Sequence, residues 1–137
     1  MARLARYQDE ILQIREALSY MSKTGLTEMA TFKKPPKNVE DCMAGVLILL
    51  GEEDLTWLNA SNRMRERDFM KRLLDFNYED VPLALFRRLE RHIKKYPEAF
   101  EFENVMKQSV VCASFVKWVM FSYKFYLMQY PEKDEGG

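Results

Sequence analysis

The chain is poor in the residues on which most site chemistry depends. It carries one histidine, His92, two cysteines, Cys42 and Cys112, and five glycines among 137 residues. The glycines are scattered and form no phosphate-cradling loop, and no serine or cysteine stands in a nucleophile motif. His92 follows Arg91 in a basic stretch and is expected to be a partly exposed helix residue, not a catalytic base. Cys42 and Cys112 are too few and too far apart for a disulfide framework, and neither belongs to a metal-spaced Cys/His cluster. These absences predict no enzyme activity, no cofactor and no metal, in a reduced, intracellular chain.

An excess of charge is missing too, since 21 Lys and Arg balance 21 Asp and Glu. Without a global basic field or a recognition motif, nucleic acid is a poor partner, and any electrostatic partner must be met by a local patch. The apolar stretch near the C-terminus is interrupted by Lys107, Lys117 and Lys124, so it predicts a helix buried against protein and not a membrane span. The basic start runs into a charged helix and not into a secretory apolar core.

What the chain does have is bulk and helical periodicity. A hydrophobic share of 47% with 13% aromatics suits one domain with a compact core. Leu4, Tyr7, Ile11, Ile14, Leu18 and Met21 alternate at spacings of three and four, which places them on one helix stripe with a charged back. Near the other end Val111, Phe115, Trp118, Phe121, Phe125 and Met128 form a matching stripe, and Cys112, Val116, Val119, Tyr123, Tyr126 and Tyr130 form a second one beside it. The pattern predicts an all-α fold, a small helical head on an antiparallel two-helix stalk. Its parts are a first arm at 1–24, a head at 25–110, a returning arm at 111–131 and a frayed tail at 132–137.

Within the head the first helix is expected to run to about Ser22 and to stop near Gly25 in a left-handed cap, followed by a short connection. Pro35 and Pro36 interrupt the chain and open a helix that holds Met43, Val46, Leu47 and Leu50 inward and ends at Gly51. Thr56 is expected to cap a short helix anchored by Trp57, and Asp68 to cap another with Phe69, Leu73 and Leu74 inside. Pro82 starts a helix with Leu85, Phe86, Leu89 and Ile93 inside and Arg87, Arg88, Arg91, Lys94 and Lys95 on a solvated face. The last helix is expected to run unbroken from about Phe102 to Tyr130.

Three stretches, in order, carry a family resemblance. Phe32-Lys33-Lys34-Pro35-Pro36, with the helix that ends Leu47-Ile48-Leu49-Leu50-Gly51, resembles the entry to the microtubule-binding domain of a dynein heavy chain. Trp57, then Arg65-Glu66-Arg67-Asp68-Phe69 and Leu73, Leu74, Phe76 and Asn77, are similar to that family's tryptophan and basic helices. Val111-Cys112-Ala113 leading to Val116-Lys117-Trp118 resembles the return into its stalk. The resemblance implies a bundle of about six short helices at the tip of an antiparallel stalk. It also implies binding to the groove between α- and β-tubulin, ATP hydrolysis elsewhere in the heavy chain, and a place on the cytoskeleton in the cytoplasm or the ciliary axoneme.

By the same resemblance the tubulin-facing residues are Lys33, Lys34 and Lys37, then Arg65, Arg67, Lys71 and Arg72, and finally Lys107. Tubulin is acidic, so these cations would steer encounter, and each exposed pair contributes about 0.2–1 kcal/mol, giving weak, salt-sensitive binding. Two positions depart from the family pattern. Glu40 stands where some relatives carry a basic contact, with Lys37 the nearest substitute, and spacing from Trp57 puts the expected arginine on Glu66, between Arg65 and Arg67. Glu103 and Lys107 read equally as a plain i,i+4 pair or as a switch in which the acid holds a basic group until binding releases it.

Two adjacent seams on the last helix predict two pairings of similar burial with the first, so that the arms slide or rotate between registers. The other reading of the second seam is that it packs on the head, more so near Val111 than toward Tyr126. A different class of function is an adaptor whose head binds another protein, such as the leucine-rich-repeat light chain that some axonemal dynein tips carry.

Overall fold

The structure, a computed structural model, describes residues 7–21 and 23–130. Every regular element among them is helical: α1 (Gln8–Ser19), α2 (Lys23–Ala30), α3 (Lys37–Leu49), α4 (Trp57–Met64), α5 (Phe69–Leu74), α6 (Leu83–Lys95), α7 (Phe102–Met106) and α8 (Val110–Gln129), with 3₁₀ turns at Tyr78–Asp80 and Pro97–Phe100. The fold is thus all-α, with six shorter helices between α1 and the 20-residue α8.

Helix α3 lies at the centre, and from Asp41 to Leu49 every residue is buried. It packs on α8, α6, α4 and the Pro97–Phe100 turn, which explains its near-continuous apolar sequence. Gly45 permits the close approach of that turn, because a Cβ there would lie 3.0 Å from ring carbons of Phe100. At its end Gly51 takes φ 84° and closes a Schellman pair, with the Gly51 N–H donating to Ile48 and the Glu52 N–H to Leu47. Thr56 caps α4 by accepting from the Asn59 N–H at 3.2 Å. Asp68 stands at the N-cap position of α5, but its side chain makes no cap bond.

Two boundaries differ from expectation. The chain does not loop after Gly25. It breaks at Tyr20–Met21 and re-enters a helix, α2, whose buried Leu26, Met29 and Ala30 pack under the head, so Gly25 lies inside a helix and does not cap one. Nor is the last helix continuous from Phe102: it stops at Met106 and restarts at Val110, where the Ser109 hydroxyl accepts from the Cys112 N–H at 3.0 Å. A serine in extended backbone offers that turn a cap, which the unbroken apolar pattern concealed.

Helix α8 is packed on both stripes. On the first, Phe121 and Phe125 meet the Tyr7 ring edge-on at 5.9 and 6.1 Å, and Lys124 reaches Glu10 of α1 at 3.1 Å. Ile14 and Leu18 are buried, Ile11 and Met21 are half-buried, and Leu4 lies outside the described residues. Met128 is exposed. The same stripe also serves the head, since Trp118 packs on Phe76, and Phe121 on Tyr78. Burial pushes the Tyr78 phenol up to about 12.

The second stripe belongs to the head as far as Tyr126, which is fully buried and stacks on Phe86 of α6 at 4.8 Å, while the Tyr123 hydroxyl donates to Glu90. This corrects the expectation that contact with the head would fade toward Tyr126. By length and hydropathy Val110–Gln129 could cross a membrane, but 56% of its most apolar window is buried inside the protein, as a core helix requires. Cys42 and Cys112 are free and buried, and burial, with Cys112 alongside, holds the Cys42 thiol well above its usual range.

Candidate functional site

The sequence-derived cations fall into two groups once their partners are seen. Lys33 and Lys34 stand exposed on the connection between α2 and α3, Arg67 on the turn between α4 and α5, and Lys107 at the end of α7. None of these four has an ion pair or side-chain hydrogen bond among the described residues. The other four are engaged. Lys37 binds Asp41 at 2.6 Å and lies 4.6 Å from the Tyr96 ring centre, and that hydrogen bond raises its pKa. Lys71 pairs with Asp75, which raises the lysine and lowers the carboxyl. Arg65 donates to the Ala30 carbonyl at 3.3 Å, and Arg72 to the Leu50 carbonyl at 3.3 Å.

Glu66 accounts for part of this division. It pairs with Arg63 at 2.7 Å and lies 3.9 Å from Arg72, so the acid at the expected arginine position ties two neighbouring guanidinium groups to the head. Arg65 and Arg67 flank it on the rim of a groove of about 560 Å³, with Met21, Leu26, Met64 and Met70 in its walls and Lys23 beside them. Glu103 and Lys107 form no ion pair with each other. Lys107 caps the end of α7 with its side chain in solvent, so the simple i,i+4 pair is not made.

Short-range bonds hold the three connections together. The Trp57 indole N–H donates to the Phe32 carbonyl at 2.8 Å, and the Ser61 hydroxyl donates to the Ala30 carbonyl. The Ser109 hydroxyl lies 3.6 Å from the Met29 sulfur, which seats the α7–α8 junction against the end of α2. Trp57 is therefore an anchor, as its place in the sequence predicts, and its partner is the backbone beside Lys33. The basic face of α6 is partly structural, because Arg88 donates to the Glu52 and Glu53 carbonyls at 3.0 and 3.1 Å. His92 lies against α3, with Nε2 2.7 Å from the Asp41 carbonyl, and burial lowers its pKa.

Sequence reasoning passed over Lys23, Met106 and Val110. Lys23 falls where the first helix is expected to end, just before Gly25. Val110 belongs to neither stripe of α8, and that was the available signal that it does not face the core.

Taken with the fold, these features define a helical protein-docking module, with free cations on neighbouring connections of a head built around α3 and α8. The family described as the microtubule-binding stalk of the dynein motor matches residues 2–132, nearly the whole sequence. The chain belongs to that family, which is a stalk domain and not a catalytic one. It is 31% identical over 116 residues to the cytoplasmic dynein heavy chain of Caenorhabditis elegans, covering 84% of this chain. To the ciliary dynein beta chain of Heliocidaris crassispina it is 30% identical over 132 residues, covering 90%. The chain spans 2% and 3% of the lengths of these relatives. The solved microtubule-binding domain of dynein-c shares its fold, with a TM-score of 0.73 at 22% identity over 91% of this chain and 87% of that one.

Proposed function

We propose that this chain is the tip of a dynein heavy-chain stalk and binds the acidic surface of α/β-tubulin in microtubules, reversibly and through its basic side. The observation that carries the reading is the set of cations Lys33, Lys34, Arg67 and Lys107, unpaired among the described residues, on connections of a chain whose family is the microtubule-binding stalk. Lys37, Arg65, Lys71 and Arg72 join the contact by exchanging the head partners they hold for tubulin carboxylates, an exchange that keeps each net gain small. Residues 1–24 and 111–131 are the distal stalk arms, and residues 25–110 the head. Affinity responds to how α1 sits along the first stripe of α8, since the second stripe is taken by α6. Glu103 acts in that response by taking a basic group in a register other than this one. ATP hydrolysis belongs to another part of the heavy chain, and the motor works on the cytoskeleton, in the cytoplasm or in a ciliary axoneme.

Co-sedimentation with taxol-stabilised microtubules over a salt series tests the reading. Saturable binding that weakens with salt, and falls at least about fivefold in an Arg65→Ala, Arg67→Ala variant, is expected. Absence of binding at the lowest salt, with the stalk fused in each fixed register, would overturn it. A second reading, a leucine-rich-repeat light chain carried on the head, is favoured by Leu58 of α4, which exposes 71% of its surface. That binding would persist in salt and weaken in Leu58→Ser.

A further inference from the structure

Three large apolar side chains stand exposed on two connections that the fold brings side by side. Phe32 is 37% exposed after α2, and Met106 and Val110, 37% and 68% exposed, flank the α7–α8 junction. The Ser109 hydroxyl meets the Met29 sulfur, and the Phe32 N–H donates to the Met29 carbonyl at 3.2 Å, so one turn of chain separates Phe32 from that contact. The Cys112 thiol, one turn into α8, faces the Val39 carbonyl near the start of α3. Lys33, Lys34 and Lys107 are exposed on the same two connections, without partners among the described residues. An apolar centre inside a charged, solvated rim is the usual anatomy of a protein interface.

We infer that Phe32, Met106 and Val110 form an apolar anchor, rimmed by Lys33, Lys34 and Lys107, that seats this end of the head on the microtubule. The inference rests on the microtubule-binding reading and deepens it, because part of the contact is then independent of salt. The unpaired lysines on the same connections match an acidic partner, which selects tubulin over a basic or neutral surface. The two kinds of contact divide the work: the lysines steer the encounter, and burial of the three apolar groups slows dissociation.

The test compares salt series of microtubule binding for the native chain, Met106→Ser/Val110→Ser, Lys33→Ala/Lys34→Ala and, as an exposed apolar control on α1, Leu12→Ser. The serine pair should bind about tenfold more weakly at every salt concentration with the native slope, because what is lost is apolar burial. The alanine pair should flatten the slope, and Leu12→Ser should match the native chain. Phe32→Ser, on the other connection, should lose affinity in the same salt-independent way and keeps the test open if the serine pair fails to fold. Native affinity in folded serine variants, or a loss confined to the slope, would overturn the anchor while leaving microtubule binding intact. A native chain that does not bind at all would remove both.

Discussion

His92 is the residue whose surroundings make the sharpest statement about pH. It faces Asp41 and Lys37 on α3, has Lys95 on its own helix, and packs on the Tyr96 and Phe100 rings. Burial lowers its pKa from 6.5, outweighing the hydrogen bond to the Asp41 carbonyl, so between 6.5 and the lower folded value the unfolded chain binds more protons. Its contribution to stability is therefore fully present above 6.5 and is lost as pH falls toward and through the folded value. Because His92 is the only histidine, the fall in melting temperature between pH 7 and pH 5 should flatten in His92→Gln. An unchanged slope would show that the imidazole is not the group responsible. Gly51 offers a simpler case: it is exposed, with open space around a Cβ, so Gly51→Ala tests backbone strain alone and should cost about 1 kcal/mol in denaturant unfolding.

Among the elements, what sequence made legible and what it did not follow from how local each signal is. The Thr56 cap, the Gly51 stop and the Pro82 start depend on a few adjacent residues, and all three stand where the sequence puts them. Helix α2 escaped because Gly25 in a polar context reads as a terminator, while its three buried residues are explained only by the head they pack against. The break at Ser109 escaped because residues on both sides are apolar. Periodicity found the two stripes of α8 but could not say what covers the second, since Phe86 lies 40 positions before Tyr126 in sequence. That contact has a measurable consequence. Phe86→Ala should destabilise the chain by about 3–5 kcal/mol and loosen the last turns of α8, lowering both the denaturant midpoint and the near-ultraviolet signal of the tyrosines. A loss below about 1 kcal/mol would mean that the second stripe of α8 is not held by the head.

For the whole molecule, a formal net charge of zero conceals an uneven arrangement of charge. Ion pairs within the head consume Lys37, Lys71 and Arg63, while Lys33, Lys34, Arg67 and Lys107 have no partner among the described residues. The candidate site was legible in sequence as a set of residue types, but not as this division, which depends on Glu66, Asp41 and Asp75 lying within reach in the fold. Helix α8 joins the two ends, since Phe121 and Phe125 meet both Tyr7 at the start of α1 and Tyr78 of the head. The proposed response to the position of α1 would act through these rings and through Arg15 of α1, which donates to the Leu74 carbonyl at the end of α5.

The most direct test of the central claim is an electron cryomicroscopy reconstruction of microtubules decorated with this chain. The account predicts a head docked between α- and β-tubulin with the α2–α3 connection, α5 and the α7–α8 junction against the lattice and α1 pointing away. Density that docked the head through α1, through the outer face of α6 or through the end of α8 would contradict it.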